Sequence, residues 1–201
     1  MSVFPDVLRA DPVLSKLAAL VPVPPLEPPG DVFHDLIGCL VEQQHPARST
    51  KGTYQRSLDR AGLDRVTPDM FERYEERGLG DVRLARSKRD ALACTVAFFR
   101  AHDLDWTALP DDEVRALLRS IKGVGLWTID MVLLFTLHRP DVFPADDYHL
   151  KQLMAHHYGI EGTGARLKHR MRDLAEGWRP HRSAAVRLLL AWKAWQRELA
   201  R

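Results

Sequence analysis

Apolar side chains return at intervals of three and four through nearly the whole chain and nowhere alternate in twos. Val32, Phe33, Leu36, Ile37, Leu40 and Val41 set the pattern, which is that of one buried face of an α-helix. No Asn-Gly hairpin signal occurs and no internal repeat is visible. The pattern predicts an all-α fold of about ten helices, cut to length by thirteen prolines. Five of these fall within 22–29, a stretch that excludes helix and predicts an extended N-terminal arm over 1–30. The helical body is expected over 31–201. Pro46 opens a polar, basic helix, and Thr67-Pro68 a short one. Ser87 caps a helix over 87–102, Pro110 precedes another that ends at Lys122-Gly123, and an apolar helix LWTIDMVLLFTL follows. Helices from Asp146-Asp147 to about His157, over Thr163–Ala175 and over His181–Ala200 complete the chain.

With 45% apolar residues in 201, the chain can bury a core without disulfides or metal staples, and 28% charged residues in mixed order argue against disorder. No apolar run approaches the roughly 18 residues of a membrane span, and the N-terminus lacks a signal-peptide pattern. The expectation is a soluble, cytoplasmic protein. Cys39 and Cys94 form no disulfide framework, and two thiols are too few for a four-cysteine iron–sulfur cluster. The net charge of +2 identifies no partner, but it is unevenly spread, at −3 over residues 1–40 and +6 over 161–201. The basic end suits a polyanion or a merely solvated face.

Residues 111–151 carry most of the functional information. Gly123-Val124-Gly125 lies between two helical patterns, so the backbone N–H groups of the turn stand open to an anion and the next helix points its positive end the same way. Thr128 adds a hydroxyl one turn later. This suits a phosphate, and equally an ordinary turn between helices. Asp146-Asp147 then begins the next helix, where an acidic residue usually caps. If Asp146 caps, Asp147 is left to point outward beside the helix dipole, which keeps it ionised.

The order of these pieces, IKGVGLWT, an apolar helix, a proline-bearing loop and DDYHLK, resembles the helix-hairpin-helix DNA glycosylases, and within them the AlkA-like 3-methyladenine branch. Leu36-Ile37 followed by Glu42-Gln43-Gln44, the run Arg86-Ser87-Lys88-Arg89, and Trp178-Arg179-Pro180-His181-Arg182-Ser183 resemble further stretches of that family. The similarity runs over roughly 30–195 and places the hairpin at about 111–138.

The resemblance implies a two-lobed helical enzyme that flips an alkylated base out of damaged double-stranded DNA and hydrolyses its N-glycosidic bond. Its aspartate falls on Asp147. A cationic base such as 3-methyladenine leaves without a general acid, so a carboxylate facing the oxocarbenium sugar suffices. Relatives that also cut the strand carry a lysine where this chain has Trp127, which implies a monofunctional enzyme leaving an abasic site. Trp127 and Tyr148 would line the base pocket. Gly123, Gly125 and Thr128 would hold a phosphate, and the backbone carbonyls of Arg119, Ile121 and Val124 a sodium or potassium ion. Gln43, Gln44 and His45 would form the wedge in the gap left by the flipped nucleotide.

Two positions depart from the branch. Met131 stands where a tyrosine is common and Leu190 where a tryptophan is, so the pocket is expected to be more open and to take 1-methyladenine or 3-methylcytosine besides 3-methyladenine and 7-methylguanine. Trp192 lies on another face of the last helix. His149, His156 and His157 share one helix, but no second cluster completes a metal site. One lesion per protein needs only a monomer. A non-catalytic helix-hairpin-helix binder and a glycosylase of another substrate class are the alternatives.

Overall fold

The computed structural model describes residues 5–21, 26, 28–42 and 52–199. These are all-α, with no strand among them. The helices are α1 (Asp6–Arg9), α2 (Pro12–Leu20), α3 (Val32–Glu42), α4 (Thr53–Ala61), α5 (Phe71–Gly78), α6 (Arg86–Ala101), α7 (Asp111–Ser120), α8 (Leu126–Met131), α9 (Tyr148–Tyr158), α10 (Gly164–Glu176) and α11 (Arg182–Leu199). A 3₁₀ turn, Pro68–Met70, leads into α5, and a π-helical segment, Val132–Thr136, continues α8. No helix is long and apolar enough to cross a membrane. The chain divides into two compact units: the described residues of Pro29–Leu137, and those of Met1–Pro28 together with His138–Arg201. The boundary between the units falls after Leu137, and the described residues of the arm up to Pro28 group with the C-terminal helices.

In the Pro29–Leu137 unit, α3 is the central helix. Its side chains Val32, Phe33, Leu36, Ile37, Leu40 and Val41 are all buried, and it packs on α4, α6, α8 and the π-helical segment. The apolar helix expected after the hairpin does not stay α-helical. The Leu137 N–H donates to the Val132 carbonyl at 2.9 Å, a widened turn, and the Thr136 hydroxyl donates to Asp35 Oδ2 on α3 at 2.7 Å. The Gly30 N–H donates to the Thr136 carbonyl at 2.8 Å. A buried side chain and a backbone pair therefore hold the end of this segment to the start of α3. The cap expected at Ser87 is not used. The helix α6 begins one residue earlier, after extended Ala85, with no side-chain cap.

In the other unit the arm is not simply extended, contrary to the proline-based expectation. Asp11 accepts from the Val13 and Leu14 N–H groups and Pro12 takes the first helical position, so α2 has a strong start ahead of the proline-rich stretch over 22–29. Leu14 and Leu17 bury the face of α2 that packs on α11. The helix α11 in turn packs on α9, and α9 on α10.

Candidate active site

Within the Pro29–Leu137 unit the helical hairpin forms as expected. Acidic residues Asp111, Asp112 and Glu113 occupy the first turn of α7 and favour its positive end. The helix stops at Ser120 because Ile121 turns to extended dihedrals, φ −76° and ψ 118°. Ile121 and Val124 are buried and pin the turn, the Val124 N–H donating to the Ile121 carbonyl at 3.1 Å. Arg115 on α7 reaches Asp130 on α8 at 2.7 Å and braces the two helices.

The two glycines of the turn are there for different reasons. Gly123 has φ +92°, and a Cβ there would lie 2.4 Å from the Cβ of Ala91 on α6, so both backbone and packing demand glycine. Gly125 has an ordinary φ of −95° and caps α8. A Cβ on it would meet nothing within 4 Å, so neither strain nor packing explains its bareness. Thr128 is only 2% exposed. Trp127 is half-buried on the first turn of α8, and Met131, the last residue of α8, is buried.

The last carbonyls of α7 have no further helical turn to donate to them, and Arg119 is among the residues that carry them. Together with Ile121 and Val124 they are the backbone oxygens available to a cation at the hairpin. Among the described residues no group of three His, Cys, Asp or Glu side chains could hold a metal ion. Gln43, Gln44 and His45 lie outside the described residues.

In the other unit, the structure reverses the expected roles of the aspartate pair. Asp147, not Asp146, caps α9: its Oδ1 accepts from the Leu150 N–H at 2.7 Å, and it is 7% exposed. Asp146 points to cations instead. Lys168 Nζ lies 2.6 Å and Lys151 Nζ 3.7 Å from its Oδ1. The hydrogen bond from Lys168 holds the Asp146 carboxyl below the usual carboxylate range. Capping fixes the Asp147 carboxylate at the positive end of an eleven-residue helix.

Tyr148 is 66% exposed, with its ring edge-on to His149 at 5.4 Å and its hydroxyl accepting from Gln152 Nε2 at 2.9 Å. Leu190 is half-buried on α11. One turn further, Lys193 contacts His149 Nδ1, and lies 3.2 Å from Gln152 Oε1. Burial first, and the Lys193 cation second, lower the His149 pKa; burial also lowers that of Lys193. Trp192 is taken up by α9, stacked on His156 at 5.7 Å and edge-on to His157 at 4.4 Å.

The loop before Asp147 is clamped by the start of α11. Arg182 sends Nε to Asp141 Oδ1 at 2.7 Å and Nη2 to Oδ2 at 3.0 Å, and also bonds the Asp141 carbonyl at 2.9 Å. The Val142 N–H donates to Ser183 Oγ at 2.8 Å, and the Ser183 N–H to the Pro140 carbonyl at 3.1 Å. In the sequence Arg182 and Ser183 stand out only as part of the Trp178–Ser183 motif. Their partners stand 41 residues away, and nothing local announces them.

A structure of the Schizosaccharomyces pombe 3-methyladenine DNA glycosylase Mag1, in complex with abasic DNA, superposes with a TM-score of 0.71 at 22% identity, over 91% of this chain and 92% of that one. The chain has the fold of the 3-methyladenine DNA glycosylases. A DNA-3-methyladenine glycosidase from Bacillus halodurans gives a TM-score of 0.69 at 23% identity, over 94% of this chain and 86% of that one. In sequence, the Bacillus subtilis protein YfjP, which carries the name of a DNA-3-methyladenine glycosylase, is 24% identical over 172 residues, 81% of this chain. This match spans 58% of the length of YfjP. No family model matches the chain.

Proposed function

We propose that the chain is a monofunctional DNA glycosylase of alkylated bases. The observation that carries this reading is Asp147, a buried carboxylate fixed as the cap of α9 in a chain with the 3-methyladenine glycosylase fold. In this reading damaged duplex DNA is the partner, the base is flipped out of the helix, and Asp147 faces the sugar as positive charge develops on it. A base such as 3-methyladenine already carries the charge that makes it leave, so no acid need protonate it. Asp147 then supplies electrostatic stabilisation worth about a hundredfold to a thousandfold in rate. Water completes the hydrolysis and an abasic site remains.

Trp127 offers a π face to a cationic base, worth about 0.5–2 kcal/mol, and cannot serve as an amine nucleophile. In this reading Tyr148 is a second aromatic available to the base, and with Met131 and Leu190 in place of larger rings 1-methyladenine and 3-methylcytosine are substrates as well. The open approach to Gly125, with Gly123 shaping the turn, suits the backbone of a DNA strand. A sodium or potassium ion held by the carbonyls of Arg119, Ile121 and Val124 fits the all-oxygen donor set of the hairpin and would bridge it to a phosphate. The wedge role of Gln43, Gln44 and His45 belongs to the same reading.

The test is base release from methylated duplex DNA by wild type and Asp147→Asn. Liberated bases are identified chromatographically and strands are scored with and without alkali. Release by wild type only, with breaks only after alkali, is expected. Tight binding to abasic DNA with no release of any base would make the chain a non-catalytic binder.

A further inference from the structure

Asp146 is one carboxylate set among three cations. Lys168 Nζ sits 2.6 Å from its Oδ1; Lys151 Nζ lies 3.7 Å from the same oxygen and donates to the Asp146 carbonyl at 2.9 Å. The Arg172 guanidinium, one turn beyond Lys168 on α10, adds to the same field. Both lysine side chains keep about a third of their surface in solvent, at 28% and 30%, and Arg172 is exposed. The group therefore carries a surplus of two positive charges next to Asp147 in the chain. A single carboxylate does not need three cations. Ammonium and guanidinium groups gathered in this way suit an oxygen anion, with the carboxylate holding the lysines in place between binding events.

From this geometry we infer that Lys151, Lys168 and Arg172 form a second phosphate site, one that takes a backbone phosphodiester of the DNA strand flanking the damaged nucleotide. The inference rests on the proposed function, which supplies the DNA. It differs from the hairpin contact in kind, since side-chain cations do the work rather than backbone N–H groups, and each phosphate they neutralise releases counterions. Arg166 and Arg170 provide an internal control. They are likewise an i,i+4 pair of cations on the same helix, exposed and on its other flank, with Arg170 also donating to the Glu161 carbonyl at 3.0 Å.

The experiment is the binding of full-length protein to a duplex with one abasic site, titrated over a range of potassium chloride. The slope of log K against log salt is expected to flatten by about one to two units in Lys168→Ala/Arg172→Ala. Arg166→Ala/Arg170→Ala, with the same loss of charge, should stay within about half a unit of wild type. Asp146→Asn should act in the opposite direction and tighten binding about fivefold at low salt, since it removes the competing anion. Equal flattening in both arginine-containing pairs would reduce the effect to general attraction and overturn the site, as would an unchanged slope in Lys168→Ala/Arg172→Ala. Weaker binding by Asp146→Asn would also overturn it. Wild type that binds no duplex at all would remove the glycosylase reading itself, an outcome distinct from the other three.

Discussion

Trp178 and Asp11 are 167 residues apart and share a hydrogen bond, Nε1–H to Oδ2 at 2.9 Å. The same carboxylate caps α2 through the N–H groups of Val13 and Leu14 and accepts from the Tyr158 hydroxyl at 3.1 Å. Burial is the main cause that pushes the Tyr158 hydroxyl pKa up, with the Asp11 charge adding to it, so the phenol stays protonated as a donor. One side chain thus joins the N-terminal arm, the end of α9 and the tryptophan ahead of α11. The arm is part of the unit's structure, not a tail.

Replacing Asp11 should therefore cost more than a surface cap. Asp11→Ala loses the cap, about 1 kcal/mol, and leaves the buried Trp178 N–H without its acceptor, about 1–3 kcal/mol more. Asp11→Asn keeps an oxygen for part of this network and should cost less than half as much. Urea unfolding followed by tryptophan fluorescence measures both. Equal losses for the two variants would mean that charge, not hydrogen bonding, is what Asp11 contributes.

At Asp147 the structure decides which variant separates chemistry from folding. Asparagine caps nearly as well as aspartate, so Asp147→Asn should stay within about 0.5 kcal/mol of wild-type stability and keep its affinity for abasic duplex. Its rate of 3-methyladenine release should fall about a hundredfold to a thousandfold. Asp147→Ala loses the Leu150 bond as well and should unfold about 1 kcal/mol more easily. Single-turnover release with saturating enzyme, beside thermal unfolding, gives both quantities. An Asp147→Asn rate within a few-fold of wild type would leave the carboxylate as a cap and nothing more.

The helices themselves were legible because each carries its own period and its own prolines or acidic first turn. The ends were legible only where one mechanism acted alone. At Asp146-Asp147 two adjacent carboxylates could each have capped, and the choice was made by Lys168, whose ammonium sits against Asp146. That partner lies on another helix, and no local pattern names it. The arm shows a related limit, since the prolines of 22–29 exclude helix there but are silent on the Asp11-Pro12 start that nucleates α2. Helical spacing likewise gives the direction of Thr128 but not what covers it. The Arg182–Asp141 fork shows the same limit, since a motif tells which residues recur but not what they grip.

Gly123 and Gly125 should respond to alanine in opposite ways. Gly123→Ala forces a side chain into the left-handed region and against Ala91, where the Cβ separation would be 2.4 Å. A loss of about 2–4 kcal/mol in stability is expected from strain and overpacking together. Gly125→Ala meets open space at an ordinary φ and should change stability by less than about 0.5 kcal/mol. On the proposed function its effect should appear instead in weaker binding to duplex DNA, because the added methyl would occupy the open space offered to a phosphate oxygen at the turn. Chemical denaturation and fluorescence anisotropy separate the two. Undiminished DNA binding by a folded Gly125→Ala protein would exclude close backbone approach at this glycine.

The Arg182–Asp141 pair gives the chain an acid-dependent contribution to its stability. Burial of Asp141 opposes its ionisation, but the hydrogen bonds and charge of Arg182, with Arg179 beside it, outweigh burial and hold the carboxyl below its ordinary value of 3.8. A depressed folded pKa means that the unfolded chain takes up the proton first as pH falls. The pair's contribution is therefore complete above about pH 5 and is lost progressively as pH drops through 3.8 toward the folded value. Asp141→Asn removes the charge and leaves Arg182, whose side chain is 14% exposed, with only the longer carboxylate contact to Glu176 at 3.4 Å among the described residues. Near neutral pH this should cost about 2–3 kcal/mol, less than a fully buried broken pair. Other carboxyls held low away from the pair, Glu72, Asp105 and Asp146 among them, weaken both proteins alike in acid and cancel in the comparison; Glu176, which shares Arg179 and Arg182 with Asp141, is more than half exposed and offsets the comparison only weakly. The gap between wild type and Asp141→Asn should accordingly narrow below about pH 4 in urea titrations run across the acid range. A gap that holds constant from neutral pH to about pH 3 would show that Asp141 contributes through shape and hydrogen bonding, with its charge playing no part.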